Sequence, residues 1–319
     1  MKQNVAIGFD TSNYTTSVAI ITDRGELVAN IKRPLPVKEG ERGLRQSDAL
    51  FNHIKNLPDA LCEAGEYLND KNIVSVGVST RPRNVEGSYM PCFLAGVSAA
   101  NAVKAATGAR LYELSHQCGH IAAAIFSSGK NDLLDKSFAA FHISGGTTEL
   151  LRVRRSDIGF YAEHLGGTKD LNAGQIIDRI GVAMGLPFPA GPHLERLALE
   201  NTEKIPKRKI SRDGLWLNLS GLENICLKLY KDTEDKRLVS AFVLDYLASA
   251  ISALSEEYCK EYGETHFLYA GGVMSNSIIK AKLAEKFDCS FAEPSMSADN
   301  AVGIAYLSLL AYKKDHGEK

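Results

Sequence analysis

The residues best suited to chemistry in this chain are two histidines four positions apart, His116 and His120 in SHQCGHIAAAIFSSG, and a distant carboxylate, Asp299 in EPSMSADNAVG. The Ala-rich run after the histidines reads as a helix, and positions i and i+4 of a helix share one face, about 6 Å apart along the axis. Two imidazoles so placed can grip one metal ion, and Asp299 supplies a third ligand if the fold brings it near. A His₂Asp set leaves coordination positions open, as a catalytic site needs. From spacing alone, polar surface or a hydrogen-bonded core pair is the commoner meaning, so the surrounding elements must decide.

Length and composition set the frame. The chain has 319 residues, 45 % of them hydrophobic, enough for two domains of ordinary size. A formal net charge of −1 excludes a global basic field for nucleic acid, so any RNA contact must come from a local patch. Cys62, Cys92, Cys118, Cys226, Cys259 and Cys289 form no CxxC pair and read as reduced thiols, which implies a cytoplasmic protein. Cys118, between the two histidines, reads as a small buried helix residue; His53, His142, His193 and His266 read as ordinary polar or buried residues. The start, MKQNVAIGFD, enters a strand pattern without a signal-peptide core. No run of about 18 apolar residues points to a membrane.

The elements that must position the site come in two copies. NVAIGFD reads as a buried strand, TSNYTT as a polar turn, and SVAIITD and RGELVANI as the next strands. A helix follows from Ala49 to Leu68 with Leu50, Ile54, Leu57 and Leu61 at helical spacing, then the strand NIVSVGVST and a helix ending at Gly108. The pattern recurs in FAAFHISGG, TTELLRVRR and FYAEHLGG, with Asp10 and Ser144 in equivalent places 134 residues apart. Helices DLNAGQIIDRIGVAMGL and VSAFVLDYLASAISALSEEYCKEYG and the strand HFLYAGG follow in the second copy, and AVGIAYLSLLAYKKDHG closes the chain as an amphipathic helix. The architecture expected is two similar α/β lobes with a central cleft. The first lobe covers 1–115, with helix 300–319 packing back on it, and the second covers 116–299.

Three turns, HISGGTT, LPFPAGP and YAGGVMSN, set Gly beside a small polar residue or Pro. Glycine lets backbone N–H groups approach a ligand closely, and consecutive N–H groups can form an anion nest. A strand–GG turn in each of two places suggests bound nucleotide phosphates. Neither turn matches GxxxxGK[ST] or GxGxxG, which disfavours the two commonest nucleotide folds.

Taken in order, SHQCGHIAAAI, HISGGTTEL, LGGTKDLNAGQIIDRIGVAMGLPFPAGPHLERLA, NLSGLEN, YAGGVMSNSIIKAKL and EPSMSADNAVGIAYL resemble the TsaD family over nearly the whole chain. That family was formerly called O-sialoglycoprotein endopeptidase, or peptidase M22. The resemblance implies the actin, sugar kinase and Hsp70-like (ASKHA) fold. It also implies an acyltransferase that moves threonylcarbamoyl from threonylcarbamoyl-AMP to N6 of adenosine 37 in ANN-decoding tRNA, with protein partners of the transfer complex; a homodimer is a further expected assembly. By family position His116, His120 and Asp299 would hold one divalent metal, iron or zinc. Ser144, Gly145 and Gly146 would face the substrate phosphate, and Asp178, Gly191 and Asn276 would contact the nucleotide, whether ATP, ADP or an acyl-adenylate. Asp10, the retained leading acid, is the catalytic candidate, weighed against an Asx cap of the following turn.

Several positions depart from the family pattern. ETSCDET becomes DTSNYTT, placing Tyr14 and Thr15 at former acids. SGGHT becomes SGGTT, with Thr147 for His. DDAAGE becomes DLNAGQ, with Leu171 and Gln175 for acids, and the GPG loop becomes RPRNVEG at Arg81–Gly87. These changes support a second reading, a divergent paralogue that binds nucleotide as a partner or regulator without transfer. A metallopeptidase is disfavoured because Gln117 stands where HExxH needs a general base. A small-molecule kinase or carbamoyltransferase has no specific motif. KIPKRKISRDGLW offers Lys204, Lys207, Arg208, Lys209 and Arg212 as tRNA phosphate contacts, against the commoner reading of a solvated loop. Arg81 and Arg83 are either nucleotide or RNA contacts or merely exposed.

Overall fold

A computed structural model describes residues 2–12, 14–36, 44–297 and 299–317. In chain order the elements are β1 (Gln3–Ser12), β2 (Thr15–Thr22), β3 (Leu27–Pro34), α1 (Gln46–Leu68), β4 (Lys71–Arg81), α2 (Phe93–Thr107), β5 (Arg110–Ser115), α3 (His116–Ser128), β6 (Phe138–Ile143), β7 (Thr148–Arg155) and β8 (Phe160–Thr168). There follow α4 (Ala173–Ala183), α5 (Gly191–Leu199), β9 (Arg212–Asp213), β10 (Trp216–Leu217), α6 (Ser220–Thr233), α7 (Lys236–Tyr262), β11 (His266–Ala270), α8 (Ser277–Ala284), β12 (Asp288–Phe291), α9 (Pro294–Ser297) and α10 (Val302–Asp315).

These form two compact units. Met1–Leu134, Arg155–Ala162 and Ser295–Lys319 make the first; Asp135–Arg154 and Glu163–Pro294 make the second. The first holds a sheet of order β3-β2-β1-β4-β5, with β1 to β3 antiparallel and β4 and β5 parallel to β1. The other sheet runs β12-β11-β6-β7-β8-β10-β9. There β6, β7, β8, β11 and β12 take the places of β1, β2, β3, β4 and β5, and β10 and β9 extend the edge. The repeated pattern of the sequence is thus a repeated topology.

The packing revises several local expectations. Residues 116–134 belong to the first unit, where the sequence suggested the start of the second lobe, because α3 packs on α10. Helix α10 is not amphipathic: Val302 through Leu309 are buried on every side, between α3 and the strands β1, β2 and β4. Only its last turn, with Lys313 and Lys314, is basic. On α1 the sheet-facing stripe is Ala49, His53, Leu57, Ala60 and Ala64, while Ile54 is 56 % exposed; small side chains let the helix lie close to the sheet. β1 runs through Thr11 and Ser12 and β2 starts at Thr15, so most of the expected polar turn is strand; its Asn13 lies outside the described residues, as does Ala298 beside Asp299. Helix α7 is long and apolar enough to cross a membrane, which the sequence reading missed, but 78 % of that stretch is buried within the protein. It packs against α5, α6 and α8 as the core helix of the second unit.

Candidate functional site

β5 ends at Ser115, whose Oγ accepts from the Cys118 N–H at 3.2 Å and caps α3. His116 is therefore the first residue of α3, and His120 lies one turn later on the same face. The two Nε2 atoms are 2.9 Å apart. Asp299 Oδ1 lies 3.3 Å from His120 Nε2 and 3.6 Å from His116 Nε2. Among the described residues this is the one cluster of three such groups with convergent ligand atoms.

Glycines explain how a residue 179 positions after His120 arrives there (299 − 120). α3 and α10 cross in backbone contact: a Cβ on Gly303 would sit 1.9 Å from Gly119 O and 2.6 Å from Ala123 N. On the other side, a Cβ on Gly8 of β1 would meet Ala305 N at 2.5 Å. With no side chain at either crossing, α10 settles onto sheet and helix together, and the residues leading into it are drawn against α3. Asn300 then fixes the entry: its Oδ1 accepts from Val302 N–H at 3.0 Å, and its Nδ2 donates to Met296 O at 3.0 Å. Lys32 on β3 donates to Ser295 O at 2.8 Å. Asp299 is thus placed by packing at both ends of its segment.

Asp10 adds a layer behind the cluster. It is fully buried on β1; Oδ2 lies 2.7 Å from His116 Nδ1, and Oδ1 accepts from Ser79 Oγ on β4. The carboxylate engages Nδ1, so Nε2 is the nitrogen of His116 that faces His120 and Asp299 and whose lone pair becomes available once its proton is displaced. This is the carboxylate–histidine support that metal-ligating imidazoles commonly have. Asp10 therefore acts on His116 rather than capping the turn, and Ser79, which no motif marked, completes the support. Only the pairing of β1 with β4 brings Ser79 there.

The electrostatics favour a positive charge among these groups. Burial opposes protonation of His116, but the Asp10 and Asp299 carboxylates outweigh it and raise the imidazole to about 9. Burial likewise opposes ionisation of Asp299, yet the two histidines outweigh it and hold the carboxyl at about 2. A proton now supplies that charge. The separations of 2.9, 3.3 and 3.6 Å match ligands sharing one ion at about 2.0–2.2 Å, which stand about 2.8–3.6 Å apart at angles between octahedral and tetrahedral. The donor set fits a divalent ion, with iron and zinc both suited to mixed N and O ligands.

The expected nucleotide residues all lie in the second unit. Ser144 closes the turn after β6: its N–H donates to Thr147 O at 2.8 Å, and its Oγ accepts from Gly146 N–H at 3.3 Å and Thr147 N–H at 3.2 Å. Two N–H groups of the expected anion nest are thus already satisfied by Ser144. A Cβ on Gly145 or Gly146 would meet nothing within 4 Å, so packing does not require glycine there. Gly174 on α4 is packed against this turn, its absent Cβ falling 2.6 Å from Gly145 N. Asp178 on α4 accepts from Ala190 N–H at 2.8 Å, which fixes the residue before Gly191. Asn276 accepts from Ile278 and Ile279 N–H and caps α8.

Other singled-out residues are structural. Asp170 accepts from the N–H groups of Leu171, Leu219 and Ser220. Burial would raise its carboxyl, but these hydrogen bonds hold it well below the usual range. Gln175 Oε1 accepts from Asn172 N–H at 3.0 Å, so this replacement for a family acid caps α4. The Arg81 guanidinium binds Asn84 and Thr80, holding its own loop. Cys118 Sγ lies buried against Phe160 O at 3.1 Å.

A model of the family described as TsaD, tRNA N6-adenosine threonylcarbamoyltransferase, matches residues 39–306. The chain is 30 % identical to the tRNA N6-adenosine threonylcarbamoyltransferase of Streptococcus pneumoniae strain CGSP14, an alignment covering 99 % of this chain and 95 % of that protein. The enzyme of strain Taiwan19F-14 is 29 % identical over the same shares. Among solved structures, full-length HypF in its phosphate- and nucleotide-bound form aligns with a TM-score of 0.56 at 13 % identity, over 98 % of this chain and 56 % of that one. A ROK family glucokinase from Streptomyces griseus aligns at 0.52 and 12 % identity, over 97 % and 99 %. With the duplicated topology, these likenesses identify the actin, sugar kinase and Hsp70-like fold.

Proposed function

We propose a specific transfer reaction for this chain, which belongs to the tRNA N6-adenosine threonylcarbamoyltransferase family, a family of acyltransferases. The protein moves threonylcarbamoyl from threonylcarbamoyl-AMP to N6 of adenosine 37 in ANN-decoding tRNA. The adenosine amine attacks the carbonyl of the mixed anhydride, the bond from that carbonyl carbon to the phosphate oxygen breaks, AMP leaves with the electron pair, and N6 gives up one proton to solvent as the new C–N bond forms. The observation that carries the reading is the convergence of His116, His120 and Asp299, backed by Asp10. These three side chains would hold one divalent iron or zinc, which supplies Lewis acidity toward the acyl end of the substrate. Asp10 keeps His116 in the ligating tautomer and is a positioning residue in this scheme. The open Gly145–Gly146 turn, with Ser144, Asp178, Gly191 and Asn276, would receive the adenylate; a phosphate there would compete with Ser144 Oγ for the Gly146 and Thr147 N–H groups.

A second reading, nucleotide binding without transfer, draws support from Thr147, Leu171 and Gln175, which stand where the family carries His or acids. Gln175 serves the cap of α4 instead. One experiment separates the two. Purified protein is given threonylcarbamoyl-AMP and unmodified ANN-decoding tRNA, with and without partner proteins, and digested nucleosides are analysed. The threonylcarbamoylated nucleoside is expected, and it should vanish in His116→Ala. Its absence while adenylate still binds would sink the transferase reading and leave the binding module.

A further inference from the structure

Cations across the second unit are mostly neutralised by neighbours. Arg152 pairs with Glu264, Arg179 with Glu223, Lys282 with Asp245 and Lys286 with Glu256. One region differs. Lys204, Lys207, Arg208 and Lys209, between α5 and β9, and Lys228 on α6 are all exposed, and none of them has an acid within ion-pair distance among the described residues. The chain carries as many acids as bases to within one charge, so leaving these cations without ion-pair partners is a local feature of the fold, held against their mutual repulsion.

The segment bearing them is fastened down. Ile205 and Ile210 pack against the core of the second unit, and Ser211 N–H donates to the Tyr246 hydroxyl at 3.1 Å. The apolar side chains point inward and leave the intervening cations outward. Arg208 and Lys228 come together on the rim of a groove of about 270 Å³ that Pro206, Ile225 and Leu229 also line, with Phe242 at its floor and Asp232 as its one acid. From Lys204 to Lys209 a fully extended chain spans at most about 18 Å, room for several consecutive backbone phosphates.

We propose that this patch is the surface on which the second unit holds the phosphate backbone of its RNA substrate. The proposal rests on the tRNA-modifying function above and names where that substrate is gripped. A protein partner would ask for an apolar centre depleted of charge; here the small apolar groove of Pro206, Ile225, Leu229 and Phe242 is edged by Arg208 and Lys228, and the exposed surface beside it carries Lys204, Lys207 and Lys209, so cations ring the site as they do on a phosphate-contacting surface.

Binding of fluorescently labelled, unmodified tRNA is titrated between about 50 and 200 mM salt. Three full-length proteins are compared: wild type, the patch pair Lys207→Glu with Arg208→Glu, and a control pair of equal charge change, Lys260→Glu with Lys286→Glu, elsewhere on the second unit. The patch pair should bind about tenfold or more weakly, with the slope of log affinity against log salt shallower by about 1.4–1.8, since each lost phosphate contact removes about 0.7–0.9. The control pair should stay within about threefold of wild type. If both pairs bind tRNA alike, the patch is overturned, and that is also the result if it docks an acidic protein instead. The same three proteins are assayed for transfer with threonylcarbamoyl-AMP and the partner proteins added. Wild type that binds tRNA through the patch without modifying it contradicts the transferase reading and leaves the patch standing. Wild type that modifies tRNA while both pairs bind equally does the reverse.

Discussion

Glycine does opposite things at two places in this protein. Gly303, in the first unit, has the space of its missing Cβ filled by the backbone of α3 at 1.9 Å. Gly145 and Gly146, in the second, have nothing within 4 Å of theirs. The first glycine is required by the protein's own packing, which brings Asp299 to the histidines. The other two are not required by packing, and their openness is what a ligand-facing turn needs. In the proposed reading, the contrast separates a residue that builds a site from residues that leave room for what enters one.

The sharpest way to break the comparison is to add one methyl group on each side. Gly303→Ala places a carbon against backbone that no rotamer change can relieve. It should cost about 3 kcal/mol in chemical denaturation and abolish metal binding, because α10 and Asp299 would move off α3. Between these extremes lies the support of His116. Asp10→Asn keeps the shape but removes the charge behind Nδ1, and metal affinity should fall about 10–100-fold with the fold intact by circular dichroism. Gly145→Ala should change stability by no more than about 0.5 kcal/mol while weakening adenylate binding about tenfold in calorimetry. A Gly145→Ala protein that unfolds easily yet binds adenylate normally would invert the assignment.

The smallest expected effect is on pH dependence. His116 is raised from 6.5 to about 9 in the folded protein, so its contribution to stability is fully present below pH 6.5 and is lost as pH rises through 9. Asp299 is lowered from 3.8 to about 2, so its contribution is present above pH 3.8 and is lost as pH falls through 2. Metal-stripped protein should therefore show a Tm plateau between about pH 4 and 6.5 and decline by a few degrees toward pH 9. Metal affinity should run the opposite way, strengthening up to about pH 9 as the competing proton on His116 is removed. Differential scanning calorimetry across that range checks both.

Much of this was legible in the sequence, because strand periodicity and its repetition report buried surface directly. The two strand triplets, Gly108 as the cap of α2 and the His116–His120 face follow from local pattern. What escaped depends on which elements meet. The support of His116 by Asp10 and Ser79 exists only because β1 pairs with β4. The burial of α10 follows from its lying between α3 and a sheet, and its run of apolar and small residues reads equally well as one amphipathic face. Ile54 shows the same limit: helical spacing nominated it for the core, but the small residues Ala49, Ala60 and Ala64 took the sheet-facing side of α1.

The central claim, that the crossing of α3 and α10 builds one metal site from three side chains, is tested most directly by metal stoichiometry. Protein reconstituted with iron or zinc and passed over a desalting column should carry about one ion per chain. Asp299→Ala and His120→Ala, each folded by circular dichroism, should carry almost none. Metal content unchanged in both variants would contradict the account.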